Sequence, residues 1–334
     1  MSNDAIAIIG VNSFSGSWMA RFLLERGVNV LGFARTMNRA SELLAYTDSV
    51  KSPNSLEIVQ ANLVTDHDRI ADAIIDSKVT CVINYASQSM VAESWNNPED
   101  WYDTNLVALS KMTKRFISGS RNYLQKFIQF STPEVYGSTN GLVKENWSLN
   151  PTTPYAVSRA ASDLHLKAMH SAYGFPVIFT RAANVYGRHQ PLYRLIPKLI
   201  MKALKNEVFL LHGTGESKRS FIHIEDTCQA VWNLVTGGRI GDSYHISSQE
   251  FVSIREVAIQ TLRTMGKDEN ALLVNSPERL GKDLEYCLDS NKIRLETDWS
   301  DKISLQEGIA DTVSWIEREI RNLENLPLEY RHTR

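Results

Sequence analysis

The feature that most limits how this chain can fold is its rhythm. Short runs rich in Val, Ile and Phe, at residues 5–9, 28–33, 56–60, 79–85, 126–131 and 177–180, alternate with helix-length amphipathic segments at 16–26, 66–76, 99–118 and 154–173. The apolar runs show little polar alternation, the pattern of strands buried on both faces. Strand–helix alternation at this spacing builds βαβ units, and so predicts an α/β fold with a doubly wound, Rossmann-type parallel sheet. After about residue 185 the rhythm changes. Helices are predicted over 192–205, 225–235, 254–265 and 304–322, with a short strand at 208–211 and another at 244–247 that returns to the main sheet. The expected division is a sheet domain of residues 1–185 with about 222–247, and a smaller C-terminal substrate domain of 186–221 and 248–334. The stretch 36–55 and the tail 326–334 are expected to be the mobile parts.

Composition narrows the class of partner. The chain has 334 residues, 43 % hydrophobic and 22 % charged, which excludes disorder as its main state. Its 36 basic and 38 acidic residues leave a net charge of −2. That balance gives no electrostatic reason to expect nucleic acid or an anionic membrane, while leaving room for a local basic pocket. No apolar run approaches the roughly 20 residues of a membrane helix, and the polar start MSND is no signal peptide. Cys81, Cys228 and Cys287 lie far apart, with neither metal-ligand spacing nor a disulfide framework. A reducing, cytoplasmic location and no metal are expected.

Residues 6–16 read IAIIGVNSFSG, placing a glycine loop at the first strand–helix junction. Gly10 at the strand end permits a tight turn, and Gly16 permits close approach of helix and phosphate. The helix N-terminus offers free N–H groups and partial positive charge to a pyrophosphate. A full dinucleotide fingerprint has a third glycine, and Ser13 stands in its place. Gly10, Ser13, Phe14, Ser15 and Gly16 are therefore the expected phosphate cradle. The second strand should end beside the adenosine ribose, where an acidic residue would favour NAD. Here Ala34 and Arg35 follow instead, and an arginine can hold the extra phosphate of NADP through charge-assisted hydrogen bonds. NADP is the expected cofactor, with NAD as the alternative.

Three further segments combine with this loop: FIQFSTPEVYG at 127–137, PYAVSRA at 154–160 and TRAANVYGRHQ at 180–190. With them the chain resembles the extended short-chain dehydrogenase/reductase family, and within it the nucleotide-sugar 4,6-dehydratases of the dTDP-glucose and GDP-mannose group. The likeness covers nearly the whole chain and includes NYASQS at 84–89, Thr104-Asn105-Leu106, RSFIHIED at 219–226 and RLGKD at 279–283.

The resemblance implies a set of roles. Tyr155 would take the proton from the sugar 4-hydroxyl as hydride leaves C4, with Thr132 hydrogen-bonded to the same hydroxyl. Arg159 stands where the family has lysine, the cation that binds the nicotinamide ribose and favours the tyrosinate; it keeps the charge with a larger fork and different geometry. Glu134 would remove the acidified C5 proton. Pro133 replaces the proton-donating Asp of dTDP-glucose dehydratases, so Glu134 would act first as base and then as acid on the leaving 6-hydroxyl. GDP-mannose dehydratases also lack that Asp. Asn62, Leu63, Tyr85, Ala86 and Ser87 would line the cofactor together with Tyr155 and Arg159. Ser89, Asn184, Arg219, Arg279 and Lys282 would face a nucleotide-diphosphate sugar, the arginines neutralising its diphosphate. His223, His165 and the pair Trp101-Tyr102 read as structural. The helices over 99–118 and 154–173 are those that pair in family homodimers, through a four-helix bundle.

Two other readings stay open at this stage. A 4-epimerase, 4-oxidoreductase or uronate decarboxylase of the same family would use the same Tyr155 and cofactor, although an epimerase has no use for Glu134. A non-catalytic, cofactor-binding regulator would explain Arg159 and Pro133 but not the retention of Tyr155 and Glu134.

Overall fold

A computed structural model of the chain describes residues 5–48, 56–119, 123–139, 141–277 and 287–333. Seven parallel strands form its centre: β1 (Ile6–Ile9), β2 (Val30–Ala34), β3 (Leu56–Gln60), β4 (Cys81–Asn84), β5 (Lys126–Ser131), β6 (Val177–Ala182) and β7 (Ser243–Ile246). Their order across the sheet is 3-2-1-4-5-6-7. The register sets Ile9 of β1 opposite both Phe33 of β2 and Asn84 of β4. All strands therefore end at one edge, and the order reverses between β1 and β4, where open α/β sheets leave a ligand crevice.

The apolar strands are buried on both faces, as their composition requires. Ile6 and Ile8 of β1 join one apolar layer with Met19 and Leu23 of α1 (Phe14–Glu25) and Val231 and Leu234 of α6 (Ile224–Gly237). Ala7 and Ile9 point to the opposite layer, filled by Ile70 of α2 (His67–Asp76), Met112 and Phe116 of α3 (Leu109–Gly119) and Leu166 of α4 (Pro154–Tyr173). Each fully buried Ile, Leu or Phe contributes roughly 1.5–3 kcal/mol by leaving water. A third apolar group joins α5 (Leu195–Leu204), α7 (Ile254–Thr264) and α8 (Leu305–Leu323) through Ile196, Ile200, Val257, Ile309 and Val313. Among the described residues, no helix is long and apolar enough to cross a membrane, and Cys81, Cys228 and Cys287 are buried and form no disulfide with one another.

Element ends follow local chemistry. Helix α1 begins at Phe14 rather than Gly16 because the Ser13 hydroxyl accepts from the Gly16 N–H at 3.0 Å. Helix α4 starts with Pro154 behind a Thr153 cap and stops at Gly174, which takes the left-handed conformation with φ +69°. The stretch 36–48, expected to be mobile, is ordered by two short helical turns, Ser41–Leu43 and Ala45–Asp48, and by the Tyr46 hydroxyl donating to Asn12 Oδ1 at 2.7 Å. The rest of that expectation, 49–55, lies outside the described residues. The tail was also expected to be mobile, yet 326–333 fold back onto the body. Leu326 and Leu328 pack against the third apolar group, and the polar residues after them find fixed partners.

A buried polar network lies beneath the end of β5. The Arg181 guanidinium meets the Asp163 carboxylate at 3.0 Å, with the two side chains only 5 % and 4 % exposed. Ser131 Oγ donates to the same carboxylate at 2.8 Å. Arg181 also donates to the Tyr136 oxygen at 2.6 Å, and Tyr136 meets His245 Nε2 at 2.7 Å. Removing one partner strands the other charge away from water. Asp163→Ala is therefore expected to lower stability by about 3–5 kcal/mol, read as a shift in the urea midpoint.

The same interior makes stability depend on acid. Burial pushes His245 down to about 3, helped by the nearby Arg181 charge. Burial pushes His223, which caps α6 through its Nδ1, down to about 4. In the unfolded chain both imidazoles bind protons near pH 6.5, whereas the folded chain keeps them neutral until much lower pH. Stability is therefore flat above about pH 7 and falls as pH drops from about 6.5 toward 4, by on the order of 1 kcal/mol per pH unit for each imidazole. Urea unfolding at stepped pH would measure that slope, and His245→Gln should make it shallower.

Candidate active site

The glycine loop forms the floor of the crevice. Gly10 follows β1 with φ +84°, and a Cβ there would sit 2.9 Å from the Ala86 nitrogen beyond β4. A Cβ on Gly16 would lie 2.1 Å from the Gly10 carbonyl oxygen. Both positions thus need glycine to keep the strand-to-helix turn tight. Ser13 serves as the cap of α1, which explains why a third glycine is not required. Phe14 and Ser15 form the first turn, where backbone N–H groups have no partner within the helix. The loop is a cradle suited to a pyrophosphate.

The other cofactor-lining candidates sit along the same edge. Tyr85, Ala86 and Ser87 follow β4; the Tyr85 ring packs on Phe130 of β5 at 4.8 Å, and the Ala86 N–H donates to Asn84 Oδ1 at 3.2 Å. Burial raises the Tyr85 phenol well above its ordinary range. Asn62 and Leu63 follow β3, where the Asn62 side chain closes a turn by accepting from the Val64 N–H at 3.0 Å. Arg35 sits at the end of β2, as the sequence implied, but its guanidinium is engaged by the chain's own tail. Nη1 donates to the Thr333 carbonyl at 2.8 Å and Nη2 to Thr333 Oγ1 at 2.7 Å.

The proton-transfer candidates gather at the end of β5 and the start of α4. Thr132 caps the short turn Pro133–Tyr136, accepting from the Glu134 N–H at 3.4 Å. Pro133 occupies the first position of that turn, where a missing N–H is harmless. Tyr155 is the second residue of α4, its N–H held by Ser94 Oγ at 3.2 Å. Burial raises the Tyr155 phenol above its ordinary range, and the Glu134 charge raises it further. The Arg159 charge, a hydrogen bond with Thr132 and the Arg194 charge pull it back down. Arg159 is buried one turn along α4, with Nη2 donating to the Phe130 carbonyl. Its buried Nε has no partner among the described residues, so a donor remains for a group entering the crevice. Together with the glycine cradle, these observations fit a dinucleotide lying from the α1 N-terminus to Tyr155.

Of the substrate candidates, Ser89 accepts from Arg194 Nη2 at 3.2 Å. Asn184 lies on the short strand Asn184–Tyr186, paired with Phe221 two residues beyond Arg219. Arg219 is buried, with Nη1 donating to the Lys218 carbonyl. The structure thus places Asn184 and Arg219 on neighbouring strand segments. Arg279 and Lys282 lie outside the described residues. Among the described residues, no group of three or more His, Cys, Asp and Glu is arranged to hold a metal ion.

Three residues of the site were not legible in the sequence. Arg194 precedes α5 and reaches Ser89 across 105 positions. Asn105, within the wide helical turn Asp103–Ala108, clasps the Gln88 backbone: its Oδ1 accepts from the Gln88 N–H at 2.8 Å and its Nδ2 donates to the Gln88 carbonyl at 3.0 Å. Asp163 supports Ser131 immediately before Thr132. The only sequence signal was the Thr104-Asn105-Leu106 motif, which marks Asn105 without saying what it holds.

Comparison with known proteins agrees with this geometry. The family model for GDP-mannose 4,6 dehydratase matches residues 7–312. A dTDP-glucose 4,6-dehydratase from Streptomyces niveus is 30 % identical over 253 residues, covering 75 % of this chain and 74 % of that protein. One from Xanthomonas campestris is 27 % identical over 92 % of both chains. A solved dTDP-glucose 4,6-dehydratase from Streptomyces venezuelae with NAD bound superposes with a TM-score of 0.86 at 28 % identity, covering 94 % of this chain and 97 % of that one. The matched stretch runs through the glycine cradle, Tyr155 and the strand Asn184–Tyr186 alike, and the chain therefore belongs to the GDP-mannose 4,6-dehydratase family, within the extended short-chain dehydrogenases/reductases.

Proposed function

We infer that the protein is a nucleotide-sugar 4,6-dehydratase working with a bound nicotinamide dinucleotide. The feature that supports this reading is Glu134, held in the turn Pro133–Tyr136 that Thr132 caps, where its charge acts on the Tyr155 phenol at the start of α4. An oxidoreductase or epimerase acting at C4 needs only the tyrosine, whereas water loss across C5–C6 needs a second proton-transfer group beside it. A nicotinamide dinucleotide held by the glycine cradle and Arg159 would supply the hydride acceptor for C4 and the hydride donor for C6. Tyr155, favoured as phenolate by Arg159 and Thr132, takes the 4-hydroxyl proton. Glu134 takes the C5 proton and passes it to the departing 6-hydroxyl, because Pro133 has none to give; as C6 is reduced, C5 regains a proton from solvent, which balances the 4-hydroxyl proton that Tyr155 releases. Arg159 orients the nicotinamide ribose through its remaining donor.

We take residues 1–185 with about 222–247 as the dinucleotide-binding domain and 186–221 with 248–334 as the nucleotide-sugar domain. In that reading Ser89, Asn184 and Arg219 face the substrate diphosphate, joined by Arg194, and the family resemblance gives Arg279 and Lys282 the same role. A homodimer follows from the outer faces of the paired helices. Val107 is 41 % exposed, Val157 40 % and Leu164 56 %, and a second copy would cover all three. Light scattering showing only monomer at micromolar concentration would refute the dimer.

The function is tested by a product assay. Purified protein is incubated separately with GDP-mannose, dTDP-glucose, CDP-glucose, UDP-N-acetylglucosamine and UDP-glucuronate, with NAD or NADP, and products are read by mass spectrometry. Loss of one water from one of them is expected and names the nucleotide. Loss of carbon dioxide, or an isobaric epimer resolved by NMR, would replace the dehydratase reading.

A further inference from the structure

The C-terminal tail runs from α5 to the end of β2. Glu329 pairs with Lys198 of α5 at 2.7 Å, and the Tyr330 ring meets that of Tyr193 edge-on at 5.4 Å. His332 then stacks on the buried Trp101 at 4.8 Å and meets the Asp100 carboxylate at 2.7 Å. Thr333 ends the path at the edge of the parallel sheet. Its carbonyl accepts from both Arg35 Nη1 and Gln88 Nε2, at 2.8 and 3.0 Å, and its hydroxyl accepts from Arg35 Nη2 at 2.7 Å.

Two oxygens of Thr333 thus satisfy the two terminal nitrogens of the Arg35 fork. That is the bidentate arrangement in which a guanidinium holds two oxygens of a phosphate. Arg35 occupies the end of β2, the place in this sheet type where the adenosine ribose is read and where an arginine holds a 2′-phosphate. We propose that Thr333 determines cofactor choice: the docked tail occupies the Arg35 fork, so NADP must displace the tail to seat its 2′-phosphate, while NAD leaves the tail in place. The proposal rests on the reading that Arg35 faces the adenosine ribose. Arg35 and Thr333 are both exposed, so the contact is one a doubly charged phosphate can displace at a cost in affinity. The sequence signal of Arg35 points to NADP, and the docked tail reverses it in favour of NAD.

The test measures dinucleotide binding by calorimetry, without substrate. A chain ending at Leu328 keeps the two leucines that pack on the body and loses Tyr330, His332 and Thr333. It is expected to bind NADP roughly tenfold more tightly than the full chain, about the effect of one charge-assisted hydrogen bond, with NAD changed less than threefold. Thr333→Asp, which offers Arg35 a carboxylate, is expected to weaken NADP further and leave NAD unchanged. In the full chain, saturating NADP should speed tryptic cleavage after the exposed Arg331, and NAD should not. Truncation that shifts both dinucleotides equally, or neither, overturns the proposal. Arg35→Ala in the shortened chain separates the two ideas. A fall in NADP affinity alone keeps Arg35 at the 2′-position even if the tail proves irrelevant, whereas an unchanged NADP-to-NAD ratio overturns the reading of Arg35 and the proposal with it.

Discussion

Tyr155→Phe is expected to lower turnover roughly a thousandfold while leaving dinucleotide and nucleotide-sugar affinities within about threefold, the loss typical of removing a positioned general base. The Tyr155 backbone is fixed by α4 and by Ser94, and phenylalanine keeps both contacts and the ring. The unfolding temperature should therefore hardly move. The pH profile gives a finer check. Burial and Glu134 raise the phenol, and Arg159, Thr132 and Arg194 lower it, so turnover should climb as pH rises through the phenol's titration. Arg159→Ala removes a charge that favours phenolate, and its rising limb should move to higher pH. A Tyr155→Phe protein retaining a tenth or more of wild-type turnover would remove Tyr155 from the proton transfer.

Glu134→Gln is expected to separate the two halves of the reaction. Glutamine can neither take the C5 proton nor protonate the leaving hydroxyl, so water loss should fall by roughly a hundredfold to ten-thousandfold. Oxidation at C4 should survive, giving a 4-keto sugar that retains its 6-hydroxyl, two hydrogens lighter by mass and stoichiometric with enzyme. Exchange of the C5 proton with deuterium from solvent should stop. The charge of Glu134 also raises the Tyr155 phenol, so its removal should shift the limb for C4 oxidation to lower pH, opposite to Arg159→Ala. Unchanged dehydration in Glu134→Gln would refute the role given to this residue.

Pro133 and Arg159, the two departures from the family pattern, have structural settings that agree with catalysis. Pro133 begins a helical turn that aims Glu134, and a turn-former at that point costs no backbone hydrogen bond. Arg159 is buried, bonded to the end of β5, and acts on the Tyr155 phenol in the direction a lysine would. Neither change therefore supports a chain that only binds its cofactor.

The sheet, its order of strands and helices, and the glycine cradle were determined by the sequence itself. Strands such as Ile6–Ile9 are apolar at every position because both faces are covered, and Ser13, Thr153 and Gly174 set helix ends through contacts within three or four residues. Such signals are local, so a sequence displays them. Thr132, Glu134, Tyr155 and Arg159 were proposed from two short segments through the family resemblance, and the structure brings those segments together at the end of β5 and the start of α4. What only the tertiary structure decided are contacts between distant segments. Arg194 reads as a solvated charge until α5 turns it toward Ser89. Asp163 reads as a helix-surface acid until β6 brings Arg181 against it. The tail 326–334 reads as a mobile polar end, yet Thr333 lies on Arg35, 298 positions away. Periodicity and capping act over a few residues, whereas the partner of a polar side chain depends on which distant segment the closed fold sets beside it.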